Sequence, residues 1–162
     1  MKTLMITILL IFILFIKNGF SQGSVTTQNQ RDSLTNQLKA HSSDTSRVMI
    51  LYQLCRAYSL INPAKAIQLG EEGLNLARKI DFQIGELFCL EATSFVYSLT
   101  GSWEKGFKAT YDALALAKKI ATGREAISVN TMHLLYDKLG DEKEAFAWMK
   151  KTYQLSLSWI QV

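Results

Sequence analysis

The chain has 162 residues, with 18 lysines and arginines against 14 aspartates and glutamates, so its formal net charge is +4. Residues 1–21 hold Lys2 and Lys17 and no acids, so the chain without them carries 16 − 14 = +2, too little for charge-driven binding of nucleic acid. A single proline, together with abundant Leu, Ala and Lys, favours helix throughout.

The first segment has the pattern of a secretory signal peptide. Lys2 gives a basic start, an apolar run follows over residues 4–16, and Gly19 and Ser21 are the small residues of a cleavage site. The run has 16 − 4 + 1 = 13 residues, fewer than the ~18 to 20 that span a bilayer. We therefore expect cleavage before Gln22, a secreted or periplasmic mature chain and no stable membrane span. A retained anchor is the alternative.

The next segments predict a tail and a capping helix. Residues 22–31 are polar and lack apolar periodicity, so we expect a mobile tail. Within residues 32–43, Leu34 and Leu38 are four apart and predict a short helix with one apolar stripe. A stack of helical units needs such a cap over its first unit, because that unit has no preceding neighbour.

A short motif, an aromatic residue followed three residues later by Leu-Asn, Thr-Gly or their like, recurs at even spacing along the rest of the chain. The copies at 58–62, 97–101 and 136–140 each begin with Tyr and end in Asn or Gly, and both intervals are 39 residues. A closing Asn or Gly favours the left-handed conformation that ends a helix. Each copy therefore predicts the end of the first helix of a helical pair.

The second helices repeat as well. Residues 65–80 keep Lys, Leu, Leu, Ala, Lys and Ile in register with residues 105–120, where chance gives about one identity. Pro63 suits a first helical position, and Asp141-x-x-Glu144 and Thr122-x-x-Glu125 read as capping boxes. Within 44–162 the pattern predicts three units, at 44–81, 82–121 and 122–160.

Units of this kind resemble the tetratricopeptide repeat. In that family the first helix carries a large apolar residue, then Leu, a small residue and Tyr at fixed spacing. The matching residues of the first unit are Leu51, Leu54, Cys55 and Tyr58. A spacing of 39 to 40 exceeds the family's usual period of about 34 and is similar to a longer-helix bacterial variety. The resemblance implies an all-α fold, a right-handed α–α superhelix of three helical hairpins after a cleaved signal peptide.

The order of parts is also similar to the extracytoplasmic sensor region of histidine kinases and related regulators of the Bacteroidetes group. The shared features are a signal peptide, a short helix, Asp44-Thr45-x-Arg47-Val48 and long repeats. In those proteins a membrane helix and an output domain follow, whereas this chain stops at Val162. The resemblance implies a non-catalytic protein- or peptide-binding scaffold in a signalling system, truncated or reduced to its repeats.

In the family, residues of the first helices line the concave face. Carried over through the 39-residue spacing, this implies a groove that mixes aromatic and charged side chains, as peptide-recognition surfaces do. Ordinary surface and packing roles for the same residues are the alternative. The three implied rows are Tyr52, Glu91 and Asn130; Arg56, Phe95 and Leu134; and Ser59, Ser98 and Asp137.

Catalytic and cofactor motifs are absent from the sequence. It has no Gly-rich phosphate loop, Gly-x-Ser-x-Gly elbow or His-Glu-x-x-His. Two cysteines and two distant histidines, His41 and His133, do not make a zinc site. We therefore expect no enzymatic activity, cofactor or metal. Cys55 and Cys89 differ in helical phase and favour buried free thiols, with a disulfide as the alternative in an oxidising compartment.

The C-terminal end is apolar where a terminal repeat is normally polar. We expect this end to pair with another copy as a homo-oligomer, with a partner or with further repeats. The alternative function is accordingly a structural subunit that assembles a cell-envelope complex through it. The apolar residues are Leu155, Leu157, Trp159 and Ile160. Core positions are expected for the second-helix aromatics Trp103, Phe107, Phe146 and Trp148.

Overall fold

A computed structural model describes residues 28–40, 43–120 and 122–158 of the chain, with the side chains of 156–158 excepted. The predicted signal peptide and the residues around His41 lie outside this part. The described residues form helices and no strand, which confirms the all-α class. None of these helices has the length and apolar character needed to cross a membrane. The helices are α1 (28–39), α2 (Asp44–Tyr58), α3 (Pro63–Lys79), α4 (Gln83–Thr100), α5 (Trp103–Lys119), α6 (Glu125–Leu139) and α7 (Glu142–Ser158).

The helices pack in chain order, and every second one also meets the next of its kind. From α2 onward each helix contacts its successor, while α4 also contacts both α2 and α6. The three helices α2, α4 and α6 therefore form one row, with α4 in the middle. This position explains why most of the residues along α4 are buried.

Helix α1 covers the start of this row. Leu34 is buried against Ile50 and Leu54 of α2, and the Arg31 guanidinium lies 5.6 Å from the centre of the Tyr58 ring. The prediction of a mobile tail over 22–31 is wrong for its last four residues, because α1 begins at residue 28. The contact between Arg31 and Tyr58 explains this earlier start, since the sequence pattern counted only the leucine stripe.

The helix ends follow the predicted frame at two of three places. Gly101 and Gly140 have φ angles of 72° and 83° and end α4 and α6 in the left-handed conformation, as predicted. Asn62 does not, since its φ is −146°. Its side chain instead accepts a hydrogen bond from the Lys65 backbone N–H at 3.1 Å and so caps the start of α3, with Pro63 as the first helical residue.

The two predicted capping boxes have different outcomes. Asp141 accepts a hydrogen bond from the Glu144 backbone N–H at 3.1 Å, which is the N-cap half of the predicted box. The box at Thr122 is wrong, because Thr122 accepts from the Arg124 backbone N–H at 3.4 Å and α6 begins only at Glu125. The chain makes a local turn there instead of starting the helix.

Glycines on α3 let three helices approach closely. A β-carbon at Gly70 would lie 2.9 Å from the Cys55 sulfur, and one at Gly73 would lie 2.8 Å from the Cys89 sulfur. Both thiols are free and buried, which confirms the prediction for them. Burial raises the pKa of each thiol to about 12, so both stay neutral at physiological pH. This close contact fixes how α2 and α4 stand beside each other.

Candidate functional site: a groove along the first helices

A groove of about 610 Å³ runs across α2, α4 and α6. Its walls come from successive turns of these three helices, because residues 39 apart lie at equivalent heights in neighbouring helices. Two of the three predicted rows line it completely, and the third contributes only its first member. The predicted residues that line the groove are Tyr52, Arg56, Ser59, Glu91, Phe95, Asn130 and Leu134.

The other two members of the third row do not line the groove. Ser98 is only 3% exposed, and its hydroxyl donates a hydrogen bond to the Phe95 carbonyl at 2.7 Å. That bond turns the Ser98 side chain back onto its own helix. Asp137 is exposed near the end of α6, but it is not among the groove-lining residues. Both residues are therefore corrected as groove positions.

An ion pair between Glu91 and Arg124 forms one wall of the groove. The guanidinium of Arg124 donates two hydrogen bonds to the Glu91 carboxylate, at 2.6 and 3.2 Å. Glu91 is only 7% exposed, and its burial raises its pKa, while the hydrogen bond and charge of Arg124 oppose that rise. The same hydrogen bond raises the pKa of Arg124. The pair joins the middle of α4 to the residue before α6.

Aromatic rings and cations alternate between α2 and this ion pair. The Tyr52 and Phe88 ring centres are 5.2 Å apart, and the Arg124 guanidinium lies 4.5 Å from the centre of the Phe88 ring. On its other side Tyr52 accepts a hydrogen bond from Arg56 at 3.1 Å. Stacked rings and cations of this kind hold one another in place. The groove wall is therefore ordered before any ligand arrives.

Arg56 differs from Arg124 in its charge balance. It is exposed, and in the parts of the chain that the structure describes it forms no ion pair. Its printed partner is the neutral phenol of Tyr52. Its positive charge is close enough to Glu91 to lower that carboxyl's pKa, a smaller effect than those of burial and of Arg124. The groove thus offers one cation that a ligand can pair.

Sequence reasoning missed Arg124 because the residue lies in the turn before α6 rather than on a first helix. A signal was nevertheless present. Glu91 is the one acid in the apolar stretch from Phe88 to Tyr97, and a buried carboxylate needs a cation beside it. The remaining lining residues fall between the predicted rows or on α1. They are Gln30, Gln53, Ala57, Ala92, Ile127 and Thr131.

The histidine considered for catalysis has a packing role. Nδ1 of His133 lies 3.0 Å from the Ala145 carbonyl oxygen and donates to it, since a carbonyl can only accept. This bond ties α6 to α7. Within the described ranges no group of three or more His, Cys, Asp or Glu side chains is placed to hold a metal ion. The groove is therefore the surface with the most ligand-binding features.

No protein-family model matches this sequence, and no curated protein matches it either. What the groove binds has to be inferred from its own residues.

Proposed function

We propose that the chain is a non-catalytic scaffold of the tetratricopeptide-repeat type, which binds a protein or peptide in the groove between α2, α4 and α6. The three helical pairs would form its right-handed superhelix. Two features support this assignment. The first helices meet one another in order, and the small residue early in each second helix, Ala66, Gly106 or Ala145, is buried as close packing of such units requires.

The single observation that carries the binding proposal is the composition of the groove. Phe95 is 36% exposed in its floor, beside an Arg56 that has no ion-pair partner in the described structure. Aromatic and arginine side chains dominate the energetics of protein recognition surfaces. A wall already held by the Glu91–Arg124 pair loses little freedom when a ligand binds, which favours affinity.

The groove also indicates what kind of segment it accepts. An acidic side chain would pair with Arg56, and an apolar side chain next to it would cover Phe95 and Leu134. The Glu91 carboxylate is already neutralised by Arg124, so it does not repel an acidic ligand as a free carboxylate would. We infer a partner segment that carries at least one acid beside an apolar residue, met in the periplasm or outside the cell by a sensor or interaction protein of a signalling system.

Photo-crosslinking in cells identifies the partner. A photoreactive phenylalanine analogue in place of Phe95 lies in the groove, whereas the same analogue in place of Tyr111, which is 48% exposed on α5, lies outside it. We expect a crosslinked protein with the first substitution and not with the second. Equal capture from both positions would mean that the groove is not the binding surface.

Purified components then test the chemistry. Titration calorimetry with the captured partner should show that Arg56→Glu and Phe95→Ala each weaken binding by about tenfold or more, which corresponds to ~1.4 kcal/mol. Lys79→Glu, an exposed charge reversal on α3 away from the groove, should leave the affinity unchanged. If the two groove variants bind as well as the parent chain, the proposed function is wrong.

A further inference from the structure

The outer face of α7 exposes apolar side chains at positions that the earlier helical pairs bury. The residue after the early small position of each second helix is Ile67 in α3, Phe107 in α5 and Phe146 in α7. Ile67 packs into two core clusters, and the Phe107 ring meets Tyr136 of α6 edge-on at 4.8 Å between centres. Phe146 is 56% exposed, so its prediction as a core residue is wrong.

The same contrast recurs three residues further along each helix. A β-carbon at Gly70 of α3 would collide with the methyl group of Thr93 on α4, and Thr110 of α5 is fully buried. The equivalent residue of α7, Met149, is 43% exposed. In α3 this face meets the first helix of the next pair, and in α5 it does so at Phe107. Across α7, the residues that the structure describes supply no such helix.

The opposite end of the row is closed. Helix α1 lies over α2, where Leu34 is only 5% exposed against Ile50 and Leu54. Each chain therefore has one covered end and one apolar face. Head-to-tail stacking into a filament would need both ends open, whereas pairing by a two-fold axis needs only one. A second copy of this chain is thus the occupant that the geometry favours for the α7 face.

Charges on α7 complement one another in an antiparallel pair. Glu142 and Lys150 are both exposed, and each lies four residues from Phe146, so all three lie along one side of the helix. When two α7 helices run antiparallel with their Phe146 side chains at the centre, Glu142 of one copy faces Lys150 of the other. The two-fold axis makes this ion pair twice.

We propose that two copies of the chain associate through this face, with α7 packed antiparallel on α7 around Phe146. Phe146 and Met149 provide the apolar centre, and the two Glu142–Lys150 pairs fix the register. The apolar patch is small beside the ~800 Å² that each partner of a stable complex buries, so the dimer is weak and forms reversibly with concentration. The groove plays no part in this contact, and the dimer stands or falls independently of the proposed function.

Sedimentation velocity of the full chain over a wide concentration range tests this pairing. We expect a monomer at low concentration that converts to a dimer as concentration rises. Glu142→Lys and Lys150→Glu should each weaken dimerisation by about tenfold or more, since like charges then face each other twice. The double charge swap, Glu142→Lys with Lys150→Glu, should restore it. Lys79→Glu, an exposed reversal on α3, is the matched control and should change nothing.

Three results would overturn the proposal. The first is a chain that stays monomeric at every concentration, which would leave the α7 face to a different protein. The second is a dimer that both single charge reversals leave intact. The third is a double swap that fails to restore association. Restoration by the double swap also excludes association through another part of the chain and simple misfolding of the variants, because neither would respond to exchanged charges.

Discussion

Replacing Gly70 by alanine is expected to destabilise the protein, although alanine is the better helix former. The new β-carbon would collide with the Thr93 methyl group and lie 2.9 Å from the Cys55 sulfur, so α3 has to move away from α2 and α4 together. Overpacking of this kind costs about 1–3 kcal/mol. Against it, the helix propensity of alanine gains up to about 1 kcal/mol. We expect a net loss of about 1–2 kcal/mol.

A second substitution shows whether the collision is the cause. Thr93→Ser removes the offending methyl group and keeps the hydroxyl, which donates to the Cys89 carbonyl at 2.8 Å. The loss in the Gly70→Ala/Thr93→Ser double variant should therefore be smaller than the sum of the two single losses. Urea unfolding followed by far-ultraviolet circular dichroism gives all three free energies of unfolding.

Gly106→Ala is the matched control. A β-carbon there would lie 2.8 Å from the end of the Leu135 side chain, which can rotate away. The equivalent positions of the neighbouring pairs already hold Ala66 and Ala145. We expect Gly106→Ala to be neutral or stabilising. If Gly70→Ala is as stable as Gly106→Ala, the close approach of α3 to its neighbours is not what holds the row together.

Three further predictions follow from buried groups and one helix end. Cys55 and Cys89 should resist iodoacetamide at neutral pH and react after unfolding, and the free energy of unfolding should fall as pH rises from about 9 towards 12, where only the unfolded thiols ionise. Arg124→Gln should cost about 1–3 kcal/mol, because Glu91 then remains buried without its cation, and adding Glu91→Gln should recover part of the loss. Gly140→Ala should cost about 1 kcal/mol, since φ is 83° there.

Mass spectrometry of alkylated protein and urea titrations at several pH values and for each variant check these expectations. Thiol labelling at the same rate before and after unfolding would contradict the buried positions. An Arg124→Gln variant as stable as the parent chain would show that the ion pair contributes nothing net. A stable Gly140→Ala variant would mean that α6 ends in another conformation.

The helical pairs could be predicted from the sequence because their signals are local. A glycine that must reach positive φ marks a helix end wherever it stands, as at Gly101 and Gly140. Asn62 misled the reading because asparagine serves equally well at the start of a helix, and Pro63 beside it favours that second role. The exact ends of the helices therefore depended on contacts that a spacing rule does not include.

Most of the groove could be predicted because residues 39 apart lie side by side in neighbouring helices. What spacing cannot give is the direction of each side chain and the contribution of the turns. Ser98 follows the spacing, but its hydroxyl bonds to its own helix. Arg124 has no repeat position, yet it forms the strongest polar contact in the groove wall. Phe146 obeys the apolar pattern but has no neighbouring helix to bury it among the described residues.

Methyl-resolved NMR of the chain during titration with a peptide from the crosslinked partner tests the central claim most directly, because it reports on each side chain of the groove separately. The account predicts that the methyl signals of Ala57, Ala92 and Ile127, which line the groove, shift together with a single binding constant. The signal of Ala115, exposed on α5, should stay where it is. Shifts at Ala115 with unchanged signals at the three groove methyls would contradict the claim that this chain binds its partner along α2, α4 and α6.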